Sequence, residues 1–495
     1  MTVSVNEVTL DDKLMQLEAS RSWSPRIISR LETHIRTADD YDVFRINPFQ
    51  YASDKNMDEQ EAIDLFIYST KFGLFEMEWH LVCAFCGYVV ESLSELSKLH
   101  SHFVCDFCRA ENDVAMDDYI QVTFTISPQV RTISYHQADW LSIEDYYFKY
   151  SFAKGVQPFP NGLTHRQVAE MITRHMQYVE PDEQITVETE ITPGMLQAKD
   201  LSHRASLIFF LQEPQSDQEA IPIHLEDGHF VAADRQLKSV QVEQRFATFQ
   251  YDQTDEIDSG KVRIDYANRM AERSPLWIVH YPAGFEATYM TFDPFLSGKR
   301  LLTTQTFRNL FRTDTLSVDE GIAVKDITFL FTDLKGSTDM YDRVGDMNAY
   351  YLVRQHFDTL ITAITNNQGA IVKTIGDAVM ATFMTPADAV KAALDMLQGL
   401  DDFNQQISQD LFLKIGIHRG PSIVVTLNDR LDYFGQTVNI AARIQGLAGA
   451  SEIYISHDAH NTPEVETLLT HCKVTEEQAI LKGVSGKVQV CKIML

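Results

Sequence analysis

The chain lacks any run of about 18 apolar residues, so no transmembrane helix is expected. Its start, MTVSVNEVTLDDK, has neither a basic region nor an apolar core, so no signal peptide is expected. Cations are also scarce: 42 lysines and arginines stand against 70 acidic residues, for a formal charge of −28. Because that field repels phosphate backbones and anionic lipids, general nucleic-acid or membrane binding is disfavoured. We therefore expect a soluble, cytoplasmic protein.

The composition is otherwise that of a globular protein, with 44% hydrophobic and 23% charged residues. The 495 residues allow about three domains at roughly 150 residues each. The hydrophobic periodicity and the turn signals divide the sequence into five predicted parts. They are a mainly helical segment at 1–80, a cysteine module at 81–112, an α+β region at 113–302, a linker at 303–323 and a further α+β domain at 324–495. Within the third part, residues 165–178 are predicted to be helical.

Four of only six cysteines form two CxxC pairs, which are Cys83 with Cys86 and Cys105 with Cys108. Four thiolates at this separation can complete the tetrahedral shell of one structural Zn²⁺. Free buried cysteines and a redox pair are the alternatives. The charges between residues 80 and 112 sum to −2, so a structural zinc ribbon is favoured over one that binds nucleic acid.

The C-terminal third contains a strand at 326–332 that ends at Asp333 and leads into a turn with Gly336, Ser337 and Thr338. A strand that passes through a glycine turn into a helix start exposes backbone N–H groups, which suits a polyphosphate. Taken alone this signal is weak, because Asp333 could equally be a helix-capping residue.

Three further features of this third have ordinary structural explanations when each is taken singly. Asp377 follows Gly376 at the turn of a predicted hairpin, where aspartate is common. Lys373 lies in an apolar strand, where a lone lysine usually marks a solvated edge. Asn439 and Arg443 are four residues apart and share one face of a predicted helix.

Taken together, four segments of this third resemble the class III nucleotidyl cyclase domain, in that family's order and spacing. They are FTDLKGST (331–338), VKTIGDAVMATF (372–383), KIGIHRG (414–420) and LDYFGQTVNIAAR (431–443). The resemblance covers the chain from about Val324 and implies an α+β, ferredoxin-like fold. The upstream region more weakly resembles an uncharacterised N-terminal region of some soluble bacterial cyclases.

The resemblance implies a role for each matching position. It implies that Asp333 and Asp377, with the backbone of Leu334, bind two Mg²⁺ or Mn²⁺ ions, that Lys373 and Asp432 read adenine, and that Asn439 and Arg443 stabilise the transition state. Lysine can only donate hydrogen bonds and ionised aspartate can only accept them, which matches the donor and acceptor of adenine and not those of guanine.

The resemblance therefore implies an adenylyl cyclase, which converts ATP to 3′,5′-cyclic AMP and pyrophosphate in a homodimer with shared active sites. The alternatives are a guanylyl cyclase or a catalytically silent cyclase-like docking protein. The region before residue 303 is expected to be regulatory, with an unknown ligand if any.

The sequence departs from the family at one phosphate-binding position. Many relatives have a basic residue after the last glycine of the GIHxG segment, but this chain has Pro421. Arg419 could substitute, and Lys482 and Lys487 near the C-terminus are further candidates for contacts with the triphosphate.

Overall fold

The computed structural model describes residues 4–117, 119–212, 221–226, 229–232, 242–245, 248–251, 256–258, 260–285, 290–337, 342–343, 345–405 and 410–494. After the short strand β1 (Ser4–Val5), the N-terminal segment forms four helices, which are α1 (Glu7–Ala19), α2 (Ile27–Thr37), α3 (Pro48–Lys55) and α4 (Glu59–Lys71). Each of them except α2 begins at a residue whose side chain accepts a hydrogen bond from the first turn. The predicted helical character of this segment is confirmed.

A small sheet and the cysteine module follow these helices. The strands are β2 (Phe75–Val82), β3 (Val89–Leu93), β4 (His102–Val104), β5 (Glu111–Asp113), β6 (Ile120–Ile126) and β7 (Arg131–Thr132). Strands β3, β2 and β6 form one antiparallel sheet, whereas β4 and β5 form a separate hairpin and β7 pairs with β1.

The four cysteine sulfurs of this module converge at the base of the two CxxC turns. Their Sγ atoms all lie within 4.8 Å of one another, and Cys83–Cys108 and Cys86–Cys105 are each 3.6 Å apart. A tetrahedron of sulfurs with Zn–S bonds of about 2.3 Å has edges of about 3.8 Å. The cluster therefore has the ligand chemistry and size that a zinc ribbon requires.

The next region contains two short helices, α5 (Ile143–Asp145) and α6 (His165–Ile172), and a five-stranded, a four-stranded and a two-stranded sheet. The strands are β8 (Thr173–Val179), β9 (Gln184–Ile191), β10 (Gly194–Asp200), β11 (Ala205–Gln212), β12 (Ile221–Glu226), β13 (His229–Ala232), β14 (Val242–Arg245), β15 (Thr248–Tyr251), β16 (Glu256–Asp258), β17 (Gly260–Asn268) and β18 (Ser274–Pro282). The prediction of a helix at 165–178 is wrong in its second half. Helix α6 ends at Ile172, and the following residues form strand β8, which pairs with β18. Tertiary strand pairing overrides the helical periodicity there.

Two helices, α7 (Gly298–Leu302) and α8 (Gln305–Leu310), lead into the C-terminal region. Residues 303–323, which the sequence suggests are a linker, thus contain a packed helix. Phe307 of α8 is fully buried, and its ring lies 5.9 Å from that of Trp79.

The C-terminal region contains β19 (Ile322–Leu334), α9 (Asp346–Asn366), β20 (Ala370–Ile375), β21 (Ala378–Phe383), α10 (Pro386–Asn404), β22 (Leu413–Leu427), β23 (Arg430–Phe434), α11 (Gln436–Gln445), β24 (Glu452–Ser456), α12 (His457–His460), α13 (Pro463–Leu468), β25 (Lys473–Ala479) and β26 (Val488–Met494). The sheet order β20-β21-β19-β22, with helices after the first and third of these strands in the chain, is the ferredoxin-like arrangement. Strands β24, β26 and β25 extend the sheet, and β23 pairs with β22 alone. The α+β, ferredoxin-like prediction is confirmed.

One hydrophobic cluster joins the N-terminal and C-terminal regions. It runs from the first helices through Trp79 and Phe307 to Phe329 on β19 and Tyr433 on β23. A second cluster holds α9 and α10 against the other face of the C-terminal sheet. In the part of the chain that the structure describes, no helix is long and apolar enough to cross a bilayer.

The cysteine cluster generates a first prediction. Cys83→Ser should lower the thermal unfolding midpoint and the bound zinc, because the loss of one of four ligands opens the metal shell. Cys472→Ser, which lies outside the cluster, is the matched control. Calorimetry and elemental analysis of protein purified without chelator provide the readouts, and an absence of zinc in the unmodified protein would refute the ribbon.

Candidate active site

The two predicted metal aspartates lie at the same end of neighbouring strands. Strand β19 runs antiparallel to β21, with Phe331 opposite Met380. Asp333 lies two residues after Phe331 on β19, and Asp377 lies immediately before Ala378, the first residue of β21. The side chain of Thr332 accepts a hydrogen bond from the Val379 backbone N–H at 3.0 Å, which closes the two strands together at this end.

The environment of these carboxylates fits a divalent cation. Among the described residues, Asp377 Oδ2 is buried and has no hydrogen-bond partner. A buried oxygen with no partner is costly, and an ion would relieve that cost. Carboxylate oxygens are also the ligands that Mg²⁺ and Mn²⁺ prefer. Leu334, whose backbone is the third predicted ligand, ends β19 beside them and has a buried side chain.

Lys414 is a site residue that the sequence did not reveal. It lies on β22 directly opposite Asp333, and its Nζ contacts Asp333 Oδ2 at 2.5 Å. The two residues are 81 positions apart, so only the strand register brings them together. The lysine ammonium offsets the charge of the Asp333 carboxylate in this arrangement.

A buried histidine lies near Asp377. His356 of α9 is fully buried and shares a 2.6 Å hydrogen bond between its Nδ1 and the Val353 carbonyl. Burial lowers the pKa of His356, although this hydrogen bond and the nearby Asp377 carboxylate oppose the shift. The lowered pKa favours the neutral imidazole, which would not compete with a cation at Asp377.

The predicted base-reading residues form an ion pair between two strands. Lys373 Nζ on β20 lies 2.5 Å from Asp432 Oδ2 on β23. The lysine side chain is 40% exposed, whereas that of Asp432 is 10% exposed. The other carboxylate oxygen of Asp432 accepts the Tyr433 backbone N–H at 2.8 Å, which fixes the orientation of the carboxylate. The pair thus presents a donor and an acceptor side by side at an open edge.

Asn439 and Arg443 share one face of α11, as predicted. Asn439 is exposed and Arg443 is half-buried. A Cβ added at Gly483 would lie 3.4 Å from Arg443 Nη2, so the arginine rests against the loop between β25 and β26. The same loop carries the exposed side chains of Lys482 and Lys487. The structure therefore places Arg443 against the loop that carries these two lysines.

The glycine turn after β19 has the predicted form as far as the structure describes it. Gly336 has a φ of +71° and open space beside its Cα, and Ser337 follows it. Thr338 lies outside the described residues. Arg419, the candidate to replace a basic residue at position 421, donates two 2.7 Å hydrogen bonds from its guanidinium to Asp326.

A cavity in the N-terminal region lies away from these residues. Its volume is about 820 Å³, and it is bounded by α2, α3 and β6 of the N-terminal region. None of the six predicted catalytic-domain positions lines it. The paired side chains and strand ends described above, and not this cavity, define the candidate active site.

Residues 322–493 match the family described as "Adenylate and Guanylate cyclase catalytic domain". Similar proteins include an adenylate cyclase of Anabaena cylindrica, 33% identical over 146 residues, and adenylate cyclase 2 of Rhizobium meliloti (strain 1021), 29% identical over 133 residues. These alignments cover 26% and 24% of this chain, and 29% and 36% of the relatives. The receptor-type guanylate cyclase gcy-8 of Caenorhabditis elegans is 30% identical over 147 residues, which is 27% of this chain and 13% of that protein.

Solved structures of cyclase domains are also similar to this chain. The adenylyl cyclase CyaB from P. aeruginosa is 25% identical and covers 35% of this chain and 96% of its own, with a TM-score of 0.32. The guanylate cyclase domain of RhGC from Catenaria anguillulae, in complex with GTP, is 21% identical and covers 35% of this chain and 97% of its own, with a TM-score of 0.31.

The remaining part of the chain matches a different family. Residues 10–309, about three fifths of the sequence, match the description "Family of unknown function (DUF5939)". The chain belongs to this DUF5939 family, and it carries a class III adenylate and guanylate cyclase catalytic domain behind the family's defining region.

Proposed function

We propose that this protein is an adenylyl cyclase, which converts ATP to 3′,5′-cyclic AMP and pyrophosphate. The observation that carries the proposal is the contact of Lys373 with Asp432. Adenine offers an acceptor at N1 and a donor at N6, which the ammonium and the carboxylate complement. Guanine reverses that order and would leave the buried Asp432 carboxylate without its complement, at a cost of about 1–3 kcal/mol.

The metal-binding residues would be Asp333 and Asp377, with the backbone of Leu334. Two divalent ions held there would lower the pKa of the ribose 3′-hydroxyl and neutralise the triphosphate. Asp377 offers an oxygen that has no partner among the described residues, and Asp333 would bind an ion once its ion pair with Lys414 opens. Lys414 would then be free to contact the triphosphate.

The remaining catalytic work falls to positioning and to charge. Arg443 presents a planar fork of donors that can bind the charge that develops on the α-phosphate. Asn439, one turn earlier on the exposed face of α11, can hold the ribose so that the 3′-oxygen is aligned for attack. The N–H groups of Gly336 and Ser337, with Lys482 and Lys487, are candidates to bind the triphosphate.

We further propose a homodimer with two shared sites. The metal aspartates of one chain would meet the base-reading pair and the Asn439–Arg443 pair of the other. A two-fold dimer of a chain that holds all six positions contains two complete sites. The N-terminal region would act as the regulatory part, since its hydrophobic core continues into the catalytic sheet. A Zn²⁺ ion at the four cysteines would stabilise that region.

The metal assignment predicts that Asp333→Ala and Asp377→Ala each reduce turnover by at least about a hundredfold, because each removes a ligand of the ions that stabilise the transition state. Asp401→Ala, an exposed aspartate on α10, is the control and should keep normal activity. Cyclic AMP production with Mg²⁺ or Mn²⁺ is the measurement. Near-normal turnover by either folded variant would refute the assignment of these aspartates as metal ligands.

The base assignment predicts that Lys373→Glu combined with Asp432→Cys weakens ATP use and raises relative GTP use. The combined change exchanges a donor for an acceptor and removes the carboxylate that accepts from N6. The ratio of kcat/KM for ATP to that for GTP should fall about tenfold or more. An unchanged ratio in a folded double variant means that these residues do not read the base.

The shared-site proposal predicts complementation between two inactive variants. Asp333→Ala chains mixed with Arg443→Ala chains form heterodimers in which one site carries both lesions and the other carries neither. Random exchange makes about half of the dimers mixed, so about a quarter of normal activity should return by this symmetry count. Freely exchanging mixtures that stay as inactive as their parents would rule out sites shared in this way.

A further inference from the structure

The base-reading residues stand on two strands that do not pair with each other in the part of the chain that the structure describes. Strand β20 is the edge of the sheet and pairs with β21, whereas β23 pairs with β22. The register of β20 also shifts between Ile371 and Lys373, where the strand bulges. The separation of Lys373 from Asp432 is therefore not set by a ladder of hydrogen bonds between their strands.

Helix α8 contacts both strands from the side of the N-terminal region. Gln305 Oε1 accepts the backbone N–H of Ile371, two residues before Lys373, at 2.7 Å. Arg308 Nη1 donates to the backbone carbonyl of Leu431, one residue before Asp432, at 3.2 Å. One turn of helix thus binds the backbone next to each member of the base-reading pair.

Both side chains are themselves held in place. The amide nitrogen of Gln305 donates to Asn309 Oδ1 at 2.9 Å, which leaves its oxygen directed at Ile371. Arg308 Nε donates to the Leu302 carbonyl at 2.8 Å, and its guanidinium lies 5.5 Å from the ring centre of Tyr433.

The helix is also anchored in the N-terminal core. Phe307, between the two contact residues, is fully buried against Trp79 and stacks on Phe311 with ring centres 5.5 Å apart. Just upstream, Arg300 of α7 bridges Gln60 of α4 and Gln368 before β20, with 2.8 Å hydrogen bonds to each. Any displacement of the N-terminal core would therefore move α8 and the strands bound to it.

We propose that Gln305 and Arg308 are positioning residues that hold the two base-reading strands at the separation that adenine requires. Through them the DUF5939 region contributes to the choice of nucleotide. The inference rests on the proposed adenylyl cyclase activity. A donor and an acceptor that must meet N1 and N6 together tolerate little change in spacing, since hydrogen bonds weaken steeply with misalignment.

The test uses the full-length protein with Gln305→Leu and Arg308→Met. Each removes one contact to the backbone of a base-reading strand, and each leaves every residue of the proposed site in place. Gln305→Glu keeps an acceptor for Ile371 and should restore the normal behaviour. Arg312→Met, an exposed arginine two residues beyond α8, is the control for loss of charge.

The readouts are kcat and KM for ATP and for GTP, equilibrium binding of both nucleotides, and the thermal unfolding midpoint. We expect KM for ATP to rise and the ATP:GTP ratio of kcat/KM to fall about three- to tenfold. A change of that size corresponds to the loss of one hydrogen bond between the base-reading pair and adenine. The concentration of Mn²⁺ for half-activation should stay unchanged. The binding ratio should shift in the same direction as the kinetic ratio.

Two outcomes overturn the inference. Folded variants with an unchanged ATP:GTP ratio would show that α8 does not set the base site. An equal loss for both nucleotides would show that the contacts are merely structural. If the unmodified protein makes no cyclic AMP, the proposed function fails, and the binding ratios of the variants still decide whether α8 positions the base-reading pair.

Discussion

The double pairing of strand β19 is the constraint on which the site depends. Hydrogen bonds to β21 on one side and to β22 on the other fix its register at the end where Asp333 stands. The pairing with β21 brings Asp333 beside Asp377, and the pairing with β22 brings it opposite Lys414. A slip of a single residue in either pairing would turn Asp333 to the opposite face of the sheet and dismantle both relationships. The proposed metal site, the ion pair of Asp333 with Lys414 and the start of the glycine turn all follow from these two ladders.

Lysines at the candidate site are paired with acidic residues of the same strongly acidic chain. With a formal charge of −28, the protein as a whole repels a nucleoside triphosphate. The site counters this with cations that already have partners: Lys373 on Asp432 and Lys414 on Asp333. Substrate and metal ions would exchange these internal pairs for new ones, so neither a lone buried charge nor a large basic patch is needed. Lys482 and Lys487 are exposed on the loop against which Arg443 rests.

Much of the fold and site could be predicted from local sequence pattern. The strand at 326–332, the hairpin around Asp377 and the shared helix face of Asn439 and Arg443 all depend on short-range spacing, and the structure contains each of them. The helix expected at 165–178 was wrong beyond Ile172, because pairing with a distant strand decides that segment. Lys414 and the contacts of α8 could not be predicted at all, since both arise where residues far apart in sequence meet. The linker predicted at 303–323 contains α8, whose packing likewise depends on residues far away in the sequence.

The most direct test of the account is a competition assay with the purified full-length protein. Equal concentrations of ATP and GTP are supplied with Mg²⁺ or Mn²⁺, and the products are separated by chromatography and identified by mass spectrometry. The account predicts that 3′,5′-cyclic AMP and pyrophosphate dominate, because the Lys373–Asp432 pair complements adenine. An excess of cyclic GMP, or no cyclic nucleotide with either metal ion, would contradict it.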